Sequence, residues 1–430
     1  MSELRIVVVA AGIVGLAVAY HLVKEGARVT IVDRDPEGDK ASLGNAGAIA
    51  VTEVFPASAP GLWRRVPGWM LDPLGPLAVR PAHALKLIPW LLRFAQAGRP
   101  REVDRISRAL SALNARAYDD LVPMLVETGL RGELNRKGAL TVYETEEAFR
   151  RDAAEWQCKR SCGIVVNEMN GAQAREMEPA LGPRVQRAVF TPEWSHVNDP
   201  TRLVQGLREW LLRSGVSIKR DEVRNIVGGS SSPVALELES GQPMVVDRAV
   251  VAAGAWSGIL TRRLGDRVLL ESERGYNKTL ARPGIVVERE LIFAEHKFVA
   301  TPLSCGLRIG GAAEFGGLSA SANFKRSEAL VELALRYLPG LRVEGGSSWA
   351  GHRPTTPDSL PVIGPSPREP RVLYAFGHGH LGLTQAATTG RLISDLIFRK
   401  PASIDMVPYG VHRFSAAAET PNVTLRFLRC

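Results

Sequence analysis

The strongest hydrophobic pattern lies at the start of the chain. Residues 6–9 form a continuous apolar run rich in β-branched side chains, as a parallel strand buried on both faces requires. A largely apolar stretch over residues 13–24 follows and stops near Gly26, which reads as a helix. A second β-branched run, residues 29–32, ends in Asp33. The pattern predicts a βαβ unit.

Further along, residues 101–129 read as one amphipathic helix, with Ile106, Leu110, Leu113, Tyr118, Leu121 and Leu125 near helical spacing. Short strands at 136–142 and 164–167 flank a helix at 146–162. A helix at 201–214 is introduced by Asp199 and Pro200, with the aspartate placed to cap it. Then come a strand at 216–219, a hairpin around 228–243, and an apolar strand at 248–253 running into Gly254. Residues 266–345 turn β-rich, with strands at 291–293, 298–301 and 306–310 and a helix near 327–337. The α/β pattern returns with a strand at 372–376, a glycine-rich turn and a helix at 384–398.

This order predicts two interleaved domains. The nucleotide-binding one is assembled from residues 1–60, 148–265 and 346–400. The second, covering a ligand laid across it, uses 61–147 and 266–345, and 401–430 is a C-terminal tail.

The turn after the first strand carries Gly12 and Gly15, but Ala10 stands where G-x-G-x-x-G has its first glycine. A Cβ there costs about 1–2 kcal/mol if the backbone is left-handed. The glycines for close phosphate approach and for helix–strand packing are both kept. With Asp33 closing the second strand, the layout is that of a dinucleotide site: pyrophosphate at the helix N-terminus, ribose hydroxyl on the carboxylate. The polar loop that follows, with Ser42 and Asn45, suits a ligand wrapped by backbone N–H groups.

Composition narrows the class. The 430 residues are 45% hydrophobic and 23% charged, with a net charge of +9. That excess is compatible with an anionic cofactor, a carboxylate substrate or an acidic membrane surface. No Lys/Arg block of five or six occurs, which argues against nucleic acid. Cys158, Cys162, Cys305 and Cys430 are too scattered for a disulfide framework. The first two read as a thiol pair on one helix face, and Cys305, flanked by glycine, as buried in a strand.

A cytoplasmic protein is expected. No secretory leader is recognisable and no apolar run approaches membrane-spanning length. Residues 60–100 mix Trp63, Trp69 and Trp90 with Arg64, Arg65, Arg80, Lys86 and Arg93. Two readings stay open: a peripheral seat on the inner face of the cytoplasmic membrane, or a helical insertion packing its aromatics inward. No His or carboxylate spacing points to a metal.

Six stretches carry a family resemblance: AAGIVGLAVAY with IVDRD at 10–35, SLGNAGAI at 42–49, VVAAGAWS at 250–257, SERGYNKTL at 272–280, GHRPTTPDSLPVIG at 351–364, and GHGHLGLTQAATTGRLISDLI at 377–397. In order and spacing the chain resembles the D-amino-acid oxidase-like flavoproteins, and within them the bacterial D-amino-acid dehydrogenases. The resemblance implies an α/β fold in which a Rossmann-type FAD-binding domain is interleaved with a β-rich α+β substrate domain.

It also implies FAD and its contacts. Asp33, with Arg34 beside it, would meet the adenosine ribose, and Gly12, Ile13, Val14 and Gly15 the pyrophosphate. Ser42, Asn45, Ala46 and Gly47 would line the diphosphate and isoalloxazine. Val223 would meet the adenine, and Gly254 and Trp256 would pack beside the nucleotide. Gly379, Gly382, Leu383 and Thr384 would bring a helix N-terminus to the reduced flavin's negative edge.

Oxidising an amino acid at Cα needs the substrate fixed over the cofactor with its amine unprotonated. Arg353 is the candidate clamp for the carboxylate, since a guanidinium offers a bidentate fork. Tyr276 would hydrogen-bond the carboxylate or close the pocket, a packed core tyrosine being the alternative. His378 and His380 would touch the flavin or take the amine proton, or merely hold the turn. The resemblance implies oxidation of a D-amino acid or cyclic imino acid, with electrons passed to a quinone or electron-transfer protein. The 351–364 segment also resembles D-hydroxyproline dehydrogenases. Two alternatives remain: an oxygen-using oxidase of glycine or sarcosine-like amines, and a non-catalytic FAD-binding subunit of a larger complex.

Overall fold

The computed structural model describes residues 3–58, 75–229 and 232–414. Two large sheets organise it. The first has six strands in the order Ser217–Arg220, Arg28–Asp33, Arg5–Val9, Arg248–Val251, Val372–Phe376 and Val362–Pro365; the first five are parallel and the last runs antiparallel at the edge. Its central strand, Arg5–Val9, buries four successive side chains, because both faces are covered.

Helix Ile13–Lys24 is buried almost all round. It lies under the sheet and against helix Gly382–Ile397, where a Cβ at Gly390 would sit 2.5 Å from the Ala17 carbonyl oxygen. The two helices touch backbone to backbone, and glycine permits that approach.

The second sheet has nine strands. Its path runs Ser347–Thr355, Glu271–Leu280, Gly306–Phe315, Phe298–Leu303, Glu290–Phe293, Ala139–Tyr143, Arg187–Thr191 and Asn167–Asn170, and Leu77–Val79 pairs with Gly306–Phe315. A three-stranded meander, Val223–Gly229, Ser232–Leu238 and Met244–Val246, stands apart.

The segment boundaries differ from the sequence reading. Asn167–Asn170, Arg187–Thr191 and Ser347–Thr355 fall in stretches assigned to the nucleotide unit, yet they hydrogen-bond into the nine-stranded sheet. Conversely, Ile106, Leu110, Leu113 and Leu125 pack into the core of the six-stranded sheet. Residues 401–414 are a strap rather than a tail: Tyr409 is fully buried with its hydroxyl donating to Ala109 O at 2.6 Å, and Arg413 pairs with Asp358 at 2.9 Å.

The helix expected over 101–129 is two, Pro100–Ala115 and Ala117–Glu127. Near the break, buried Asn114 donates to Glu53 O and accepts from Gln385 Nε2. Asp199 caps helix Pro200–Arg213 as expected, accepting from Thr201 N at 2.8 Å. Cys305 is exposed, because the stretch around it is the turn between Phe298–Leu303 and Gly306–Phe315. Cys158 and Cys162 are half-buried free thiols. Trp90 is buried, while Trp63, Trp69, Arg64, Arg65 and Cys430 lie outside the described residues. Among those described, no helix is long and apolar enough to cross a membrane.

Candidate active site

The turn after the first strand is left-handed at Ala10, with φ at +84°. The strain expected of an alanine there is therefore present. Gly15 has no room for a side chain, since its Cβ would lie 2.1 Å from Ala10 O. Gly12 has open space: its Cβ would meet only Ser42 Oγ, at 3.6 Å. Being glycine, it gives helix Ile13–Lys24 no side-chain cap, and Ser42 Oγ instead accepts from Ile13 N at 3.0 Å. The helix end is thus an open cradle for an anion.

Asp33 is tied into this turn. One carboxylate oxygen accepts from Ala11 N at 2.6 Å, and the other from Asp35 N at 2.8 Å and Lys40 Nζ at 3.3 Å. It also lines the cavity described below, so it shapes the turn and faces the ligand space at once.

The 42–47 loop is held from the opposite side by residues sequence reasoning missed. Asn277 Nδ2 donates to Gly44 O at 2.7 Å, and Arg308 Nη1 donates to Leu43 O at 3.3 Å and Asn45 O at 2.5 Å. With its carbonyls engaged there, the loop frees N–H groups for a ligand. Asn45 Oδ1 takes Gly47 N at 2.7 Å, and Gly47 adopts φ +92°. Trp349 packs where a Cβ on Gly44 would be, 2.1 Å away, and donates its indole N–H to Asp39. Buried Asn277 Oδ1 has no partner among the described residues.

A cavity of about 1910 Å³ runs from Val223, Arg34 and Asp33 past Gly12 and Ser42 to Gly382 and Leu383. At its nucleotide end the Arg34 guanidinium sits 4.2 Å over the Trp256 ring, which meets His352 edge-on. At the other end helix Gly382–Ile397 begins without a side-chain cap, and Thr384 turns its hydroxyl to Ala50 N at 2.9 Å. Its first N–H groups are available to a ligand.

The four candidate catalytic residues all line this cavity but are held differently. Arg353 lines the cavity, with Nη1 donating to Glu273 at 2.7 Å and Ala312 O at 3.1 Å and Nη2 to Gly311 O at 3.4 Å. Tyr276 lines it while only 1% exposed, and its oxygen accepts from Asn323 N at 3.0 Å. His378 is buried with Nε2 at 2.9 Å from Thr389 Oγ1, and burial lowers its pKa to about 3, so its imidazole is neutral where it lines the cavity. His380 instead opens onto the cavity while protein surrounds it, and burial lowers its pKa too. Gly379, between them, has φ +53°.

The same chamber contains an ionic group with no local sequence signal. Lys159, 3% exposed, reaches Glu53 at 2.7 Å and Glu155 at 2.9 Å, and its ammonium lies 4.7 Å from the Trp156 ring centre. Buried Glu290 accepts from Trp194 Nε1 at 2.9 Å, and burial pushes its pKa up to about 8. These residues come from a loop, a helix and a strand far apart in sequence.

The uncapped helix ends, the open cradle at Gly12 and the unpartnered Asn277 oxygen fit a flavin dinucleotide. Comparisons agree. Residues 5–396 match the family described as DAO, FAD dependent oxidoreductase. A D-amino-acid oxidase of Bradyrhizobium diazoefficiens is 34% identical over 421 residues, covering 95% of this chain and 99% of that protein. D-amino acid dehydrogenase 2 of Ralstonia nicotianae is 32% identical over 429 residues, covering 95% and 100%. The crystal structure of glycine oxidase from Geobacillus kaustophilus shares the fold, with a TM-score of 0.72 at 22% identity over 96% of this chain and all of that one. So does L-proline dehydrogenase from P. horikoshii, with a TM-score of 0.73 at 17% identity over 96% and 98%. On the family match and the two full-length relatives, the chain belongs to the DAO family of FAD-dependent oxidoreductases.

Proposed function

We propose that this protein oxidises a D-amino acid or cyclic imino acid at its Cα–N bond and passes the electrons to a quinone or an electron-transfer protein. The observation that supports this is a fixed cation in the wall of a cavity continuous with the dinucleotide cradle: Arg353. Three hydrogen bonds hold its guanidinium, which leaves two of its five N–H donors for a substrate carboxylate.

Bound FAD supplies the two-electron acceptor for the hydride leaving Cα. Gly12, Ile13, Val14, Gly15, Ser42, Asn45, Ala46 and Gly47 would hold its phosphates and ring, with Asp33, Arg34, Val223, Gly254 and Trp256 at the nucleotide end. The first-turn N–H groups of Gly382, Leu383 and Thr384 would stabilise negative charge gathering at that helix end. Arg353 would orient the carboxylate. His380, neutral and open to the chamber, would face the amine. His378 and Tyr276 would support the site from the cavity wall.

The test is anaerobic bleaching of the flavin absorbance across D- and L-amino acids, including the 4-hydroxyprolines, one of which is our narrower substrate proposal. Bleaching by D-isomers alone supports the reading, and bleaching by L-isomers alone overturns its stereochemistry. An oxygen-using oxidase is a second reading, favoured by the relative named D-amino-acid oxidase. Stoichiometric peroxide in air would select it over the dehydrogenase. A yellow protein that no amine reduces would point instead to a non-catalytic subunit.

A further inference from the structure

Beside the chamber, a niche of about 30 Å³ is lined by Glu53, Glu273, Thr355 and His380. That is room enough for a water molecule, among enough polar groups to hold it. Glu53 also lines the main cavity, and its carboxylate is fixed by Lys159, itself clamped by Glu155. Asn114 Nδ2, donating to Glu53 O at 3.0 Å, holds the backbone below it. Nothing in the proposed oxidation as stated so far uses this carboxylate.

Resting on the reading that the substrate is an amine, we infer that Glu53 is the proton acceptor for the substrate ammonium, reached through the water-sized niche that it shares with His380. The step is acid–base only. An N–H bond of the ammonium breaks, its electron pair stays on nitrogen, and the proton passes through the niche to a Glu53 oxygen. Only the neutral amine can then release hydride from Cα.

The surrounding charges set its ionisation state. Burial pushes the Glu53 carboxyl up, but Lys159 facing it directly, with Lys297 further off, outweighs this and holds it below the usual range. Glu290 lies near enough to feel its charge. Glu273, Arg353 and Lys159 act on His380, whose pKa burial lowers, so the imidazole stays neutral and can pass a proton without trapping it. Glu53 is thus ionised at neutral pH, an open acceptor although a weak base.

The experiment is the rate of anaerobic flavin reduction by a D-amino acid, measured from about pH 3 to pH 10 on the FAD-loaded protein and on Glu53→Gln. We expect the wild-type rate to hold level down to an acid limb. In Glu53→Gln it should fall on the order of 10²-fold at neutral pH and climb toward wild type as the free amine forms in solution. An unchanged rate, or the same loss at every pH, overturns the assignment. If Glu53→Gln does not fold, Lys159→Met serves: the acid limb should move to higher pH, and an unmoved limb overturns the assignment. Failure of the wild type to be reduced by any amine at any pH is a different result, and it sinks the proposed function first.

Discussion

The guanidinium of Arg353 occupies the space that a side chain on Gly275 would take: a Cβ there would lie 2.5 Å from Arg353 Cζ. The two residues face each other on paired strands, offset by the register that sets Gly275 opposite Gly351 and Glu273 opposite Arg353. Glycine lets the arginine lie flat across the strand, with Glu273 fixing its far end.

Gly275→Ala should therefore push the guanidinium off its seat without removing its charge. We expect KM for the amino acid to rise by roughly 10-fold or more while kcat changes less, the signature of lost ground-state and transition-state binding alike. Arg353→Lys, which keeps charge but loses the fork, should do the same. Steady-state kinetics decide this, and an unchanged KM in both variants would remove Arg353 from the substrate site.

Ala10→Gly should relieve the left-handed backbone at φ +84°. Strain relief of about 1–2 kcal/mol is partly offset by the extra freedom of glycine in the unfolded chain, leaving a net gain of about 0.5–1 kcal/mol. The midpoint of urea unfolding should rise, with FAD retained. A lower midpoint would mean that the alanine is not strained.

Gly390→Ala addresses the contact between the two cofactor-facing helices. Its Cβ would meet Ala17 O at 2.5 Å and His21 Cδ2 at 2.8 Å, and both helices are buried. We expect a loss of about 1–3 kcal/mol, as for overpacking elsewhere. FAD should also bind more weakly, because the helices carry the two N-termini that are proposed to face it. Equilibrium unfolding and flavin release after dilution would report the two effects separately.

Arg308→Met would release the carbonyls of Leu43 and Asn45. The loop should lose its set orientation, and FAD affinity should fall by about 10-fold, on the scale of roughly 1.4 kcal/mol for one charge-assisted contact. Titration of the apoprotein with FAD measures it, and unaltered affinity would show that the loop keeps its shape unaided.

Glu290 carries a pH signature. Burial raises its pKa from 4.5 to about 8, so the folded state resists its ionisation. Its contribution to stability is complete below the unfolded value, declines as pH rises through that window, and stays lost above pH 8. Glu290→Gln removes the ionisation, so its stability relative to wild type should improve between pH 5 and pH 8, by at least ~1 kcal/mol. Urea midpoints at the two pH values test this, and a constant difference would mean that Glu290 is ionised throughout.

The βαβ unit, the 42–47 loop and the terminal glycine turn with its helix were legible from residues alone. Their signals are local: an apolar run, a glycine at a fixed offset and an acid at the strand end each constrain the backbone within a few residues. The helix capped by Asp199 was legible for the same reason. His378 and His380 show the limit. Two residues apart in one turn, both line the chamber, but one is buried and bound to Thr389 and the other is exposed.

What only the tertiary structure decided is which strands and charges meet. Residues 167–170 and 347–355 carry no apolar pattern that marks them as strands, and the sheet they join depends on partners 17 to 84 residues away. Glu53 and Lys159 are 106 positions apart and form an ion pair because chain entropy lost on folding is offset by the buried core around them. Arg308 and Asn277 reach the cofactor loop from the opposite sheet. Sequence periodicity records the face a residue presents, whereas a site is made of residues whose faces converge, and convergence is a property of the packed chain.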